Sequence, residues 1–363
     1  MDISKYVPEW ILSLTPYQPG KPIEEVEREY GITDSVKIAS NENPLGPSPK
    51  AVAAITAVLP DLNLYPDGDA FYLKKRLAEK LGLDRSRLIL GNGSNELIEM
   101  IVRTFVRVGE SIVVGEHAFA IYHLVNKAAG GRTIAVPHTG FRFDLAAMAE
   151  AVTADTRIVF LDNPNNPTGT MYTRDEWEAF LKRVPSDVLI VVDEAYFEFV
   201  DDPDYPNSLE YHSDGRLIVT LRTFSKICGL AGLRVGYGVA SPQLIDALNR
   251  IRQPFNVNSL AQVGALAALD DEAHIRRTQD NNRNGLAYLR AELDRLGVEY
   301  APSWANFLLV NIGAGVAQRL LPAGIIVRPM EGYGYPGYAR VSVGTPSENA
   351  RFIEALERIV KEA

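Results

Sequence analysis

The sequence predicts an α/β fold in which helices cover both faces of a mostly parallel central sheet, with a smaller α+β domain after it. From about residue 85, short β-branched runs alternate with amphipathic helical stretches, a pattern typical of a parallel sheet. After Asn256 the pattern changes to long helical stretches and a few short apolar runs. A length of 363 residues is sufficient for one large and one smaller domain.

Turn residues and apolar periodicity place the individual elements. Ser48 and Pro49 form the pattern of an N-cap followed by proline at the first helical position, which predicts a helix through about residue 59. Apolar runs predict strands at residues 88–90, 111–114, 133–136, 157–161, 188–192, 217–221 and 235–239, and later at 307–310, 325–327 and 340–343. Amphipathic stretches predict helices at 96–108 and 174–184, a long helical region at 259–296 and a last helix near 347–362.

The composition argues against several classes of partner and site. With 37 Lys and Arg against 46 Asp and Glu, the formal net charge is −9, which disfavours nucleic-acid and anionic-membrane partners. No apolar run approaches the ~20 residues of a membrane-spanning helix. The single cysteine, Cys228, cannot form an intrachain disulfide, so we expect a cytoplasmic protein. The five histidines lack metal-ligand spacing, and no metal site is expected.

Polar residues follow four of the predicted strands, where ligands bind in parallel sheets. The first cluster, GNGSNE at residues 91–96, follows a strand and opens an amphipathic helix. Its glycines let the backbone approach an anion, and a helix N-terminus offers free N–H groups and a partial positive charge. Glu96 stands where a GxGxxG fingerprint has its third glycine, so phosphate binding and a simple N-cap both remain open.

The other three clusters place unusual residue types after a strand. Residues 163–169 (NPNNPTG) hold two asparagines between prolines, which restrict the loop more than an ordinary turn. Asp193 ends a buried apolar run, where a carboxylate needs either a salt bridge or a cationic ligand nitrogen. Lys226 follows another strand and precedes small and apolar residues. It is either a solvated charge or a desolvated nucleophile.

The order of these clusters resembles the fold-type-I aminotransferases that use pyridoxal 5′-phosphate (PLP), most closely the histidinol-phosphate aminotransferase family. The likeness extends over nearly the whole chain and rests on Pro16-Tyr17, Pro19-Gly20-Lys21-Pro22, Asn41-Glu42-Asn43-Pro44, Tyr65-Pro66-Asp67, Gly91-Asn92-Gly93-Ser94, the asparagine-proline run, Asp193 with Tyr196, Ser225-Lys226 and Arg340-Val341-Ser342-Val343-Gly344. It implies the PLP-dependent transferase fold type I. It also implies an arm at residues 1–45 that packs with the small domain and over the active site, a large PLP-binding domain at 46–255 and a small domain at 256–363.

The resemblance assigns roles in catalysis and in holding the cofactor ring. Lys226 holds PLP as a Schiff base and then acts as the general base that moves the substrate proton. Asp193 matches the aspartate that holds the ring nitrogen. Asn166 and Tyr196 match the pair that donates to the ring's phenolic oxygen. Each role is what the resemblance implies for the matching position.

The resemblance also implies how the ring face and the phosphate are held. Phe119 stands where the family usually stacks a tyrosine on the ring, with Tyr122 as the alternative. Tyr65 matches a tyrosine that reaches the active site of the neighbouring subunit, so a homodimer with shared active sites is implied. The residues that match the phosphate site are Gly93, Ser94, Asn95, Thr223, Ser225 and Arg234.

Four residues are candidates for binding the substrate. Arg340 matches the arginine that grips the substrate's anionic group, and the planar guanidinium suits a carboxylate or a phosphate. Arg328 is a second candidate, although a structural salt bridge explains it equally well. Tyr17, in the arm, is expected to close over the substrate side chain unless it is only a core or surface tyrosine. Asn43 of the Asn41–Pro44 motif is the fourth.

The leading functional hypothesis is transamination between histidinol phosphate and 2-oxoglutarate through the Lys226 Schiff base. An aromatic amino-acid aminotransferase acting on phenylalanine or tyrosine is the alternative, because the motifs do not separate the two substrates. A PLP-dependent lyase similar to threonine-phosphate decarboxylase shares the same cofactor residues. A non-catalytic PLP-binding regulator is a further class, but no DNA-binding segment or basic extension accompanies the domain.

Overall fold

A computed structural model of the chain describes residues 2–17, 20–212 and 215–361. Pro19 of the arm motif and Glu362 of the last predicted helix lie outside these residues. The described helices α1 to α13 are, in order, Glu9–Leu12, Ile23–Tyr30, Pro49–Val58, Phe71–Leu81, Ser94–Phe105, Ala120–Ala128, Leu145–Glu150, Arg174–Arg183, Pro242–Asn249, Ser259–Leu269, Glu272–Leu296, Val316–Leu320 and Pro346–Lys361. The strands β1 to β12 are Val36–Lys37, Leu88–Gly91, Ser111–Gly115, Arg132–Val136, Thr156–Asp162, Leu189–Asp193, Ile218–Thr223, Gly236–Val239, Phe307–Asn311, Ile325–Ile326, Arg328–Pro329 and Tyr338–Ser342.

The central sheet has seven strands in the order β2-β8-β7-β6-β5-β3-β4. Strand β8 runs antiparallel to both of its neighbours, and the other pairings are parallel. Helices cover both faces, so Leu88 and Leu90 of β2 join one hydrophobic cluster while Ile89 joins the cluster on the other face. The predicted α/β fold with a mostly parallel sheet is confirmed.

The reversed direction of β8 helps to gather the site residues. Strands β2, β5, β6 and β7 run the same way, so Gly91, Asp162, Asp193 and Thr223 end at one edge of the sheet. Strand β8 starts at this edge because it is antiparallel. Arg234, two residues before β8, therefore reaches the same edge. The sequence predicted the strand but not its direction.

Side-chain caps explain where several helices begin and end. Ser48 is the N-cap of α3 as predicted, and its Oγ accepts a hydrogen bond from Ala51 N. The predicted long helical region is two helices, α10 and α11, because Asp271 caps a new helix and accepts from His274 N. Helix α5 ends at Phe105, three residues before the predicted end, since the backbone becomes extended at the next residue.

The C-terminal part of the chain has a core of its own. Strands β11, β12 and β9 form an antiparallel sheet, and the cluster beside it includes Leu308 and Phe352. Strand β1 pairs in parallel with β10, which brings Val36 of the N-terminal segment into this cluster. These contacts support our proposed division into an arm, a large domain and a small domain at residues 45 and 255.

Candidate active site

A cavity of about 220 Å³ lies where the carboxyl edge of the central sheet meets the N-terminal segment and the sheet of β9, β11 and β12. The predicted site residues that line it are Tyr17, Ser94, Asn95, Phe119, Tyr122, Asn166, Asp193, Tyr196, Thr223, Ser225, Lys226, Arg234, Arg328 and Arg340. The lining also contains Gly20, Ala39, Ser40, Asn41, Asp162, Ala195 and Ala231, which were not predicted as site residues.

Lys226 lies on the loop that follows β7, and its ammonium group faces the cavity. Its Nζ donates a hydrogen bond of 3.2 Å to Ser40 O and lies 6.0 Å from the centroid of the Tyr196 ring. Burial lowers the pKa of Lys226 to about 8, and the positive charge of Arg340 adds to the shift. Part of the population therefore carries a neutral amine near neutral pH, as a nucleophile must.

Asp193 is a buried carboxylate with neutral hydrogen-bond donors. Its Oδ2 accepts from Tyr122 OH at 3.1 Å and its Oδ1 accepts from Ala195 N at 3.1 Å. Burial raises the pKa of Asp193 to about 6 in spite of these donors. Because neither donor carries a charge, the carboxylate is suited to a cationic nitrogen in the cavity.

The two aromatic residues predicted for ring stacking occupy different environments. Tyr122 is fully buried, stacks on Phe160 with ring centroids 4.6 Å apart, and uses its hydroxyl for Asp193. Phe119 keeps part of its surface exposed and lies edge-on to Tyr122 at 5.7 Å. Of the two, Phe119 is the ring that remains available to a flat ligand.

Asn166 and Tyr196 both present a hydrogen-bond donor. Asn166 Oδ1 accepts from Arg340 Nη1 at 2.5 Å, and since arginine only donates, the Asn166 Nδ2 group is left for another acceptor. Tyr196 OH accepts from Asn41 Nδ2 at 2.9 Å and so retains its own proton to donate. Burial raises the pKa of Tyr196 to about 12, which keeps that proton in place.

A second set of donors surrounds the start of α5. Gly93 is the N-cap, has a φ of 78° and offers no side chain to the first-turn N–H groups. A Cβ at Gly93 would lie 2.6 Å from Arg234 Nη2, so the guanidinium packs directly against this turn. Thr223 Oγ1 donates to Ser225 Oγ at 2.9 Å nearby. Backbone amides, hydroxyls and a guanidinium are the donors that bind a phosphate.

Arg328 and Arg340 are directly opposite residues of β11 and β12. Opposed residues of an antiparallel pair point to the same face, and both of these line the cavity. Arg340 is buried and its Nη2 donates to Ala39 O at 2.8 Å, while its Nε has no hydrogen-bond partner in the described residues. Arg328 Cζ lies 5.6 Å from the ring centroid of Tyr17, which is 46% exposed.

Three predicted residues are not part of the cavity lining: Gly93, which directly precedes the lining residue Ser94, and also Asn43 and Tyr65. Asn43 Nδ2 donates to Ile227 O at 3.0 Å and to Thr278 Oγ1 at 3.1 Å, so this amide ties the N-terminal segment to the lysine loop and to α11. Tyr65 is 83% exposed and stacks on Phe255 with centroids 4.9 Å apart. The substrate contact of Asn43 and the contact of Tyr65 with a neighbouring subunit stay predictions.

Asn41 and Asp162 are cavity residues that sequence reasoning missed. Asn41 belongs to a quoted motif, but its positive φ of 53° and its contact with Tyr196 depend on distant parts of the chain. Asp162 gave the same signal as Asp193, since each is an acidic residue at the end of an apolar run. Asp162 could therefore have been identified as a site residue from the sequence.

Metal-ligand clusters and membrane-spanning helices are both absent from the part of the chain that the structure describes. No group of three or more His, Cys, Asp or Glu side chains in it is arranged to hold a metal ion. Among its helices, none combines the length and hydropathy needed to cross a membrane.

Comparison with known proteins decides the family. The sequence profile of the class I and II aminotransferases matches residues 33–356. The chain belongs to this aminotransferase family. The histidinol-phosphate aminotransferase of Moorella thermoacetica is 51% identical to this aminotransferase over 356 residues, which cover 97% of this chain and 92% of that protein. Histidinol-phosphate aminotransferase 1 of Nitrosococcus oceani is 50% identical over 355 residues, which cover 97% and 96%.

A solved structure agrees with this assignment. The crystal structure of histidinol-phosphate aminotransferase from Sinorhizobium meliloti in complex with pyridoxal-5′-phosphate has a TM-score of 0.89 with this aminotransferase. Its sequence identity is 28%, and the match covers 98% of each chain. The chain is thus a PLP-dependent aminotransferase of fold type I.

The cavity of this aminotransferase fits the cofactor. PLP needs an amine for its carbonyl carbon, an anion for its ring nitrogen and donors for its phosphate. Lys226 offers an amine of lowered pKa, and Asp193 offers a carboxylate whose two hydrogen-bond donors are neutral. The turn at Gly93 packs against Arg234, where a side chain would intrude. All of these groups lie at one edge of the central sheet.

Proposed function

We propose that this aminotransferase transfers the amino group of histidinol phosphate to 2-oxoglutarate. The observation that carries the proposal is the opposed pair of Arg328 and Arg340 at the cavity that contains Lys226. A phosphate dianion gains more from two guanidinium groups than a carboxylate does, because each group makes charge-assisted hydrogen bonds. Two relatives of that name, at 51% and 50% identity, support the same substrate.

The proposal assigns the remaining cavity residues to the cofactor. Bound PLP supplies the electron withdrawal that weakens the Cα–H bond of the substrate. Asp193 faces the ring nitrogen, and the donors of Asn166 and Tyr196 face the phenolic oxygen. Phe119 covers one face of the ring. The phosphate is bound by the first-turn amides and side chains of Gly93, Ser94, Asn95, Thr223, Ser225 and Arg234.

Lys226 has two tasks in this proposal. Its Nζ holds PLP covalently in the resting enzyme, and after release the same nitrogen takes the proton from the substrate Cα. The pKa of about 8 supports both tasks, because a neutral amine is the nucleophile and the proton acceptor. Ser40 O, 3.2 Å from Nζ, orients the amine.

We also propose a homodimer in which Tyr65 of the partner subunit reaches the phosphate. This proposal is supported by the exposed position of Tyr65. The Tyr65 ring stacks on Phe255, and Tyr65 is not among the residues that line the cavity of its own chain. Tyr17 closes over the substrate side chain beside Arg328 in the same proposal. We also propose a cytoplasmic location, which is supported by the single cysteine of the sequence.

A second candidate, an aromatic amino-acid aminotransferase, is favoured by the aromatic rings at the cavity. Tyr17 and Phe119 can bury an apolar side chain at about 25 cal/mol per Å², without any need for a second arginine. A single half-reaction with a stoichiometric amount of amino donor distinguishes an aminotransferase from a PLP-dependent lyase. Transamination leaves the amino group on the cofactor, whereas decarboxylation returns the cofactor unchanged.

The substrate is tested by kcat/KM for histidinol phosphate, phenylalanine and tyrosine at one fixed concentration of 2-oxoglutarate, because the ratio measures differential transition-state binding. We expect histidinol phosphate to be preferred by about tenfold or more, which is about 1.4 kcal/mol in the barrier. A kcat/KM for phenylalanine or tyrosine that equals or exceeds the kcat/KM for histidinol phosphate would contradict the proposal.

The variant Arg328→Ala sharpens this test. It should lower kcat/KM for histidinol phosphate roughly 10- to 100-fold more than for phenylalanine, since about 1.5–3 kcal/mol of charge-assisted bonding is lost. Arg328→Lys should recover part of the loss. Arg351→Ala, which removes a surface pair with Asp34, is the matched control. Equal losses for the two substrates would mean that Arg328 supports the fold.

A further inference from the structure

Two buried carboxyl groups, Asp162 and Asp193, end neighbouring parallel strands at the cavity. They are Cα partners in the register of β5 and β6, and both side chains line the cavity. In-register residues of parallel strands direct their side chains to the same face of the sheet. Only 3% of Asp162 and 5% of Asp193 is exposed. The function proposed above uses Asp193 and leaves Asp162 without a role.

The hydrogen bonds of Asp162 come from uncharged donors in the loop that follows it. Asn165 Nδ2 lies 3.2 Å from each carboxylate oxygen, and Asn166 N donates to Oδ2 at 2.8 Å. Asp162 therefore fixes the backbone of Asn166, whose side-chain amide faces the cavity. Its negative charge is left without a cationic hydrogen-bond partner in these contacts.

The two carboxyl groups share one poorly solvated site. Burial raises the pKa of Asp162 to about 7, and the charge of Asp193 adds to that shift. Burial, together with the negative charge of nearby carboxylates, raises the pKa of Tyr122, Tyr172 and Tyr196, so their hydroxyls stay protonated. The charged groups that act on neighbouring Lys226 are Arg340, Glu42, Arg234 and Asp193.

We propose that Asp162 is a positioning residue of the cofactor site, which adds a second carboxyl charge beside Asp193 and holds the backbone of Asn166. The proposal rests on the proposed function, because it requires PLP in this cavity. Two adjacent buried carboxylates are unfavourable without a cation. A protonated ring nitrogen at Asp193 provides that cation, so the second charge strengthens PLP binding and favours the protonated form of the nitrogen that links Lys226 to PLP.

Two variants separate the charge of Asp162 from its hydrogen bond. Asp162→Asn removes the charge, but its Oδ1 can still accept from Asn166 N. Asp162→Ala removes both and provides a second test if the asparagine variant folds poorly. Asp271→Asn is the matched control, because Asp271 is also buried and also accepts from uncharged donors, Ser48 Oγ and His274 N, outside the cavity.

The apo proteins give a readout that needs no catalysis. The Asp162 pKa is about 7 in the folded chain and about 3.9 in an unfolded one, so the penalty for its charge is absent below about pH 4 and complete above about pH 7. Asp162→Asn should therefore melt at a higher temperature than the wild type above pH 7 and lose that gain on acidification. If the difference in melting temperature between Asp162→Asn and the wild type were the same at every pH, the claim that Asp162 carries a charge in the folded protein would be overturned.

The decisive experiment is a pH titration of the visible absorbance of PLP bound to Lys226. Both Asp162 variants should lower the midpoint by about one unit and weaken PLP binding about tenfold, while Asp271→Asn matches the wild type. An unchanged midpoint and affinity in Asp162→Asn, or an equal shift in Asp271→Asn, would overturn the proposal. If the wild type itself shows no PLP bound to Lys226, the proposed function fails instead.

Discussion

At the scale of single residues, burial sets the acid–base chemistry of the cavity. It lowers the pKa of the Lys226 ammonium to about 8 and raises the pKa of the Asp193 carboxyl to about 6. The directions are opposite because a poorly solvated site disfavours whichever form is charged. The environment makes the Lys226 amine more reactive, because more of it is neutral. It also means that the Asp193 carboxylate is stabilised by a positively charged partner.

Asp193→Asn should weaken PLP binding by about 1.5–3 kcal/mol, because a charge-assisted contact becomes a neutral one. The carboxylate is ionised above its pKa of about 6, so wild-type affinity should fall as the pH drops through 6. The variant should lose most of this dependence. Fluorescence titration of the apo proteins with PLP at a series of pH values measures both effects.

Tyr122→Phe is the control for Asp193→Asn. It removes the 3.1 Å donor to Asp193 but leaves the carboxyl in place. Loss of a donor raises the pKa of a carboxyl, so the fall in PLP affinity should move to higher pH. Wild-type affinity and a wild-type single-turnover rate in Asp193→Asn would show that the carboxylate is only structural.

At the scale of elements, the start of α5 and the reversed strand β8 together form the phosphate site that we propose. The turn at Gly93 has a positive φ, and a side chain there would displace the Arg234 guanidinium. Arg234 reaches this turn only because β8 enters the sheet from the edge where the parallel strands end. The glycine at position 93 and the direction of β8 therefore determine how Arg234 lies against the start of α5.

Gly93→Ala should lower PLP affinity about tenfold or more, because a Cβ would meet Arg234 Nη2 at 2.6 Å. Gly82→Ala is the control for a positive φ alone, since Gly82 lies in the left-handed helical region (φ 66°, ψ 35°) and no atom lies within 4 Å of an added Cβ. Gly82→Ala should lose about 1–2 kcal/mol of unfolding free energy. Gly93→Ala should lose as much or more, up to about 3 kcal/mol, because φ 78° with ψ 167° is a conformation that essentially only glycine adopts. Calorimetry and PLP titration test this, and equal PLP affinity in the two would contradict it.

The sequence predicts elements better than it predicts their mutual arrangement. The inner strands β5, β6 and β7 of the central sheet were found because each is a short apolar run buried on both faces, whereas the edge strand β4 is only partly buried. The reversal of β8 was missed because a fully buried antiparallel strand has the same composition as a parallel one. The break between α10 and α11 was missed because Asp271 fits the polar face of a helix as well as it fits an N-cap.

At the scale of the whole molecule, the cavity joins three parts of the chain. Arg340 donates to Asn166, 174 residues away, and to Ala39, 301 residues away. Local periodicity contains no information about such contacts. The family resemblance did indicate that these segments meet. The hydrogen bond from Asn43 to the lysine loop and the hydrogen bond from Asn41 to Tyr196 are visible only in the three-dimensional structure.

The proposed dimer predicts complementation between two defective chains. Mixing Tyr65→Phe subunits with Lys226→Ala subunits forms heterodimers in which one site keeps both Lys226 and a wild-type Tyr65, and the other site carries both changes. Activity should recover in part after subunit exchange, provided that Tyr65→Phe alone lowers activity measurably. An active monomer, or no recovery after verified exchange, would rule out a shared site.

The central claim, that Lys226 holds PLP, is tested most directly by borohydride reduction of the purified holoenzyme followed by peptide mass spectrometry. The label should be found on the peptide that contains Lys226, and Lys226→Ala should show none while losing turnover by several orders of magnitude. That variant should still bind PLP weakly through Asp193 and the phosphate donors. Recovery of the label on another lysine in the wild type would contradict the account.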